Sequence, residues 1–236
     1  MLWIATSLFL LGLAVRELLI PWRRMDRPDT IYLPYVLLLV ALSAAFAWPV
    51  LRRWRLESFL ASRASVLADG RPASVHCNTM FDTMLDPSSL YAGHADPDTG
   101  EIVLQSRSCD ALRDYIDDPA QAGLREIGLG LNVFTHESMH VRGELNEAAT
   151  ECQSVQFNYR SAKLLGVPDA LAKRHAAFYY TDGYALRANN GGFGSEYYSL
   201  ECKPGGALDL HLPDSSWAAL EPDVGAAGPS VDPSRE

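Results

Sequence analysis

The sequence predicts an α+β protein: a mainly helical domain with a small β element, preceded by one or two transmembrane helices. Three observations predict it. An uncharged apolar run lies near the start of the chain, the composition switches from basic to acidic after it, and helix-period apolar stretches are then broken by one short β-branched run. The chain has 236 residues, 48% hydrophobic and 21% charged, which suits one packed domain with extras and not a disordered or fibrous chain. Residues 1–55 carry seven arginines against Glu17, Asp26 and Asp29, a net +4 that leaves −13 for the remainder of a chain of net charge −9. An acidic domain without Lys/Arg runs repels phosphate backbones, so no nucleic-acid partner is expected.

From Ile31 to Leu51 there are 21 residues without a charge, and an α-helix needs about 20 to cross a ~30 Å hydrocarbon layer. Trp48 and Trp54 stand where interfacial aromatics would, with Arg52, Arg53 and Arg55 beside them. A second apolar run, Met1 to Val15, is interrupted by Arg16 and Glu17 before Leu18 to Trp22; it either spans as a short helix or lies in the interface. Its first fifteen residues lack Lys and Arg, unlike a signal peptide, so residues 1–55 are expected to be a retained anchor with helices at 1–22 and 31–51. Arg23, Arg24 and Arg27 balance the cluster at 52–55, and charge alone does not orient the anchor. Cys77, Cys109, Cys152 and Cys202, an even count without a C-x-x-C pair, favour two disulfides and hence an extracytoplasmic domain at the cell membrane. The expected pairing is Cys77 with Cys109 and Cys152 with Cys202, the second tying the C-terminal segment to the helix bearing Glu147 and Glu151.

The metal-binding domain is expected over residues 56–220. Leu56 to Leu67 predicts a helix, ended by the turn chemistry of residues 68–72. Residues 73–77 suit a short strand, 92–100 a loop, and 101–105 a strand by alternation and β-branching. Ser108 is placed to cap a helix through Tyr115. Leu124, Ile127, Leu131 and Phe134 predict a helix from about Ala120 to Val141, with Gly143 as its stop. Residues 144–165 predict another helix, Pro168 opens the next, and residues 189–194 form a Gly-rich loop. The Ala, Gly, Pro and Ser composition from residue 221 to 236 predicts a disordered tail.

The chemistry lies in Thr135-His-Glu-Ser-Met-His140. Two imidazoles at i and i+4 share a helix face, and the Glu between them reaches the metal site. Composition alone produces His-Glu-x-x-His in about 0.8% of such chains, so the motif is informative. A third protein ligand is needed. Glu144 shares the face, yet eight residues of straight helix span about 12 Å. Gly143 is the natural break, since glycine takes the left-handed turn without a Cβ penalty. Past it, a returning helix presents Glu147 to the same ion, with Glu151 one turn further on.

His136-Glu-x-x-His140 followed by Asn146-Glu147-Ala-x-Thr150-Glu151 resembles the gluzincin pattern of thermolysin-type zinc metallopeptidases, H-E-x-x-H followed by N-E-A-x-S-D. The resemblance implies a zincin-like domain in which Glu147 is the third zinc ligand and Glu151, in place of Asp, orients a zinc-binding His. Six residues separate His140 from Glu147, a far shorter spacer than in that family. Gly143 matches the glycine of the metzincin pattern H-E-x-x-H-x-x-G-x-x-H, but Asn146 stands where its third ligand would be. The Arg107-x-Cys109, Thr150-Glu-Cys152 and Glu201-Cys202-x-Pro-Gly-Gly206 blocks resemble membrane-anchored proteins of GC-rich bacteria, which implies no activity.

The expected function is a membrane-anchored zinc metallopeptidase acting on a peptide or protein substrate. His136, His140 and Glu147 would hold Zn²⁺, and Glu137 would serve as general base toward the zinc-activated water. Tyr179, Tyr180, Tyr197, Tyr198 and His175 are candidates for the oxyanion hydrogen bond, and Arg142 is a cation beside the motif. The alternative is a non-catalytic, metal-stabilised envelope or interaction domain. A di-iron bundle is disfavoured because a second Glu-x-x-His is missing.

Overall fold

The computed structural model describes residues 2–23, 33–189 and 195–217. The expected tail at 221–236 and most of the Gly-rich loop lie outside them. The chain forms two compact units, Met1–Leu56 and Glu57–Glu236.

The first unit holds α1 (Leu2–Arg23) and the start of α2 (Leu33–Leu67). Trp3 meets Phe46, while Ser7 and Ser43 exchange hydroxyl-to-carbonyl hydrogen bonds at 3.0 and 2.9 Å, so the two helices run antiparallel. Small and branched side chains fill the seam, with Ala14, Val36 and Leu39 buried, and paired serines let the backbones approach. The flanking Leu, Phe and Trp side chains face outward. Among the described residues, α2 is one helix long and apolar enough to cross a membrane. It is assigned from Leu33 to Leu67 with Pro49 inside it, where separate helices at 31–51 and 56–67 were expected.

The second unit is mostly helical around a three-stranded sheet of order β1-β3-β2, with β1 (Ser74–Cys77) parallel and β2 (Gly93–Asp96) antiparallel to β3 (Glu101–Leu104). The strand β2 corrects the loop expected at 92–100. Gly-His-Ala-Asp has none of the β-branched residues that mark strands; pairing with β3 imposes the conformation. A short α3 (Met80–Leu85) precedes it, and α4 (Ser106–Asp117) starts two residues before the expected cap, with the Ser108 hydroxyl bonded to the Ala92 carbonyl instead.

The helix expected from residue 120 begins at Arg125. Its first eight residues, Arg125–Asn132, are π-helical, and α5 (Val133–Arg142) continues them. The next helix, α6 (Glu147–Leu164), starts three residues later than expected because Asn146 caps it, its side chain accepting from the Ala149 N–H. Then come α7 (Asp169–Phe178), a π turn at Tyr179–Gly183 and α8 (Ala185–Asn189). Leu60, Ile102, Leu112, Leu131, Phe134 and Phe157 are fully buried between these layers. Disulfides Cys77–Cys109 and Cys152–Cys202 close separations of 32 and 50 residues, each stabilising by about 4 kcal/mol in the loop-entropy account. The second ties the C-terminal segment to α6 beside Glu151.

Candidate metal centre

The return turn decides the geometry of the centre. Gly143 ends α5 with φ +119°, and its N–H bonds back to the His140 and Met139 carbonyls. That left-handed step is strained for any residue with a Cβ. It reverses the chain within three residues, so that Glu147, the first residue of α6, faces His136 and His140. Glu147 Oε2 lies 3.1 Å from His136 Nε2 and 3.5 Å from His140 Nε2, and the two Nε2 atoms are 3.1 Å apart. One ligand atom from each side chain falls within 4.8 Å of the others, so His136, His140 and Glu147 form a group able to hold a metal ion.

The other ring nitrogens fix the tautomers. His140 Nδ1 lies 2.8 Å from the Glu144 carbonyl, which can only accept, and His136 Nδ1 lies 2.9 Å from Glu151 Oε2. Both Nδ1 atoms therefore donate, and both Nε2 atoms are left turned toward the shared point, as metal-binding histidines require. Glu151 is itself buried and held. Its Oε1 accepts from Tyr179 Oη at 2.7 Å and Asn132 Nδ2 at 3.0 Å, with Arg187 Nε at 3.4 Å. The site thus draws on five elements: α5, α6, the π turn, α8 and the π-helical segment before α5.

Metal-free, this centre is a nest of coupled charges. Burial opposes protonation of His136, but its bonds to Glu147 and Glu151 outweigh that and push it up to about 10. Hydrogen bonds from the two imidazoles hold Glu147 down to about 2. Glu151 is also held down to about 2: burial opposes ionisation, and the Arg187 charge and the His136 bond overcome it. Burial raises Glu137 to about 7, partly offset by the charges of His136 and His140. Its Oε2 has no hydrogen-bond partner among the described residues.

Glu137 projects into a cleft of two lobes, about 220 and 340 Å³, that share Tyr91, Gly93, His136, Glu137 and Tyr197 in their walls. Edge strand β2 forms one side. A Cβ on Gly93 would stand 3.1 Å from Glu137 Oε1, so glycine is what lets the strand pass over the carboxylate. Tyr197 forms the other side, its ring 5.5 Å from His136 and 5.1 Å beneath the Arg187 guanidinium.

Of the oxyanion candidates, only Tyr197 lines the cleft. Tyr179 is committed to Glu151, His175 faces Tyr115 Oη at 3.1 Å, and Tyr180 and Tyr198 contact Trp217 and Tyr184. Arg142 is turned away, bonded to Asp69 at 2.7 Å and stacked on Phe157. Asn132, Arg187 and Gly93 escaped sequence reasoning, since each lies outside the motif and joins it only through the fold. Comparison with known protein families, curated proteins and solved structures finds no match for this chain.

Proposed function

We propose that the chain is a membrane-anchored, zinc-dependent metallopeptidase of zincin type. The observation that carries this reading is the convergence of the His136, His140 and Glu147 ligand atoms beside a buried Glu137 that lines the cleft. Two imidazoles and one carboxylate suit zinc in a site that keeps a position open for chemistry. Bound there, Zn²⁺ supplies a Lewis acid that polarises a peptide carbonyl and makes water a nucleophile near neutral pH.

The chain's own residues do the rest. An extended peptide lies along the outer edge of β2, where backbone groups align it. Glu137, raised to about 7, takes a proton from water in the cleft and passes it to the leaving amine, the range in which a carboxylate does both. Tyr197 and Arg187 face the same space from the opposite wall and donate to substrate carbonyl oxygens. Glu151, Asn132 and Tyr179 keep His136 turned toward the metal. The apolar α2 anchors the domain, and the two disulfides favour an extracytoplasmic side.

A purely structural metal would need no buried, unpartnered carboxylate beside it, and such a group is costly to keep. Metal analysis tests the assignment. The purified full chain should hold about one Zn²⁺, and His136→Ala and Glu147→Ala should each empty the site. Stoichiometric zinc in either variant, or iron in its place, would contradict it.

A further inference from the structure

Helix α3 is built inside out. Its polar groups are the ones tied to the domain. Asp86, at its end, accepts from Gln105 Nε2 at 2.7 Å and from Asn78 Nδ2 at 3.0 Å, and Thr83 Oγ1 accepts from the Ser106 N–H at 3.0 Å. A capping box between Thr79 and Asp82 closes its first turn. Its apolar side chains face outward: Met80, Phe81, Met84 and Leu85 are 67–76% exposed, and Leu90, just beyond, is 80% exposed. A surface helix ordinarily lays its apolar stripe on the core. One fastened by its polar side, with the apolar side in water, marks an interaction surface.

Continuity and charge identify the partner. Leu90 and Tyr91 line the cleft beside Gly93, are themselves exposed, and follow α3 by five and six residues, which sets the apolar side chains of α3 in the same chain segment as the cleft wall. Segment 78–92 contains Asp82 and Asp86 and no lysine or arginine, whereas helices that rest on lipid carry basic residues on their polar face. Two methionines make a surface that adapts to varied side chains.

We propose that α3 and Leu90 form a remote subsite for apolar side chains of an extended peptide, away from the bond that is cut. The preferred substrates are then unfolded segments rich in apolar residues, not polar loops of folded proteins. That substrate class rests on the peptidase reading, but the binding itself does not.

The test uses the zinc-loaded Glu137→Gln full chain in phosphatidylcholine nanodiscs, with empty discs as the blank. Two dye-labelled peptides share a central sequence and differ only in outer residues, Leu and Phe in one and Ser and Asn in the other. The apolar peptide should bind at least about 10-fold more tightly. Met80→Ser/Phe81→Ser/Met84→Ser, and separately Leu90→Ser, should shrink that preference to about 2-fold or less with zinc content unchanged. Equal binding of the two peptides, or a preference that survives both variants, would overturn the proposal. Brominated lipid quenching the added tryptophan of a Phe81→Trp variant, read as the difference from the unsubstituted chain, whose anchor carries tryptophans of its own, among them Trp3, Trp48 and Trp54, would also overturn it, by identifying the bilayer as the occupant. If the unsubstituted chain cuts neither peptide while the binding preference holds, the peptidase reading fails and the subsite stands.

Discussion

Replacing Glu151 by Gln tests whether a buried carboxylate sets the metal site from one shell away. Four donors converge on it: His136 Nδ1, Tyr179 Oη, Asn132 Nδ2 and Arg187 Nε. Gln has nearly the same shape but presents one oxygen and one NH₂. Whichever way it turns, the NH₂ meets a donor, either His136 or the Tyr179–Asn132 pair. A buried donor left without an acceptor costs about 1–3 kcal/mol, and Arg187 loses its counter-charge as well. We expect about 3 kcal/mol of lost stability, which at about 2–4 °C per kcal/mol for a domain of this size lowers Tm by about 6–12 °C. Zinc affinity should fall about 10- to 100-fold, because His136 is no longer held with Nε2 toward the metal. Thermal unfolding by near-ultraviolet circular dichroism gives the first quantity and chelator competition the second. Glu144→Gln is the control, since His140 uses only the main-chain oxygen of residue 144 and the remaining amide oxygen of Gln can still accept from the Leu145 and Asn146 N–H groups. Unchanged melting and zinc affinity in Glu151→Gln would refute the reasoning.

Gly93→Ala should lower peptide hydrolysis about 10-fold or more with zinc retained, because the added Cβ crowds Glu137 Oε1 and misplaces the base; unaltered turnover would show that the carboxylate acts from another position. Metal binding should be linked to pH. His136, raised from 6.5 to about 10, stabilises the metal-free fold fully below pH 6.5 and loses that contribution as pH rises through 10. Glu147 and Glu151, lowered from 4.5 to about 2, stabilise it above pH 4.5 and lose that contribution as pH falls toward 2. Zinc must displace the His136 proton, so apparent affinity should rise about 10-fold per pH unit between pH 6 and 8. Calorimetry in buffers of different ionisation enthalpy should detect at least one released proton, and a flat profile would contradict the charge state.

The grouping of His136, His140 and Glu147, which could hold a metal ion, was legible because it is local. The i, i+4 spacing of His136 and His140 and the helix-breaking Gly143 place Glu147 by chain geometry alone, and the four cysteines pair as their positions suggest. The missed features are held by distant partners. Strand β2 exists because β3 offers a ladder to Gly-His-Ala-Asp, not because those residues favour it. Helix α3 carries its capping box in the sequence, but its outward apolar side defeats a search for core periodicity. Asn132, Tyr179 and Arg187 reach Glu151 from 19, 28 and 36 residues away, across helix packing that no local spacing encodes. The π-helical segment before α5 leaves no mark in the apolar pattern of residues 124–134, and it ends on the buried Asn132.

The most direct measurement compares the full chain with its Glu137→Gln variant for zinc content and peptide hydrolysis in one preparation. Glu137 is buried, and its Oε2 bonds to nothing among the described residues, so Gln should leave the fold and about one Zn²⁺ per chain intact. It cannot take up and return a proton, and general acid–base steps contribute about 10²- to 10⁴-fold. The account predicts zinc retained and hydrolysis reduced by at least about 100-fold. Hydrolysis persisting at the original rate in the zinc-loaded variant would contradict it.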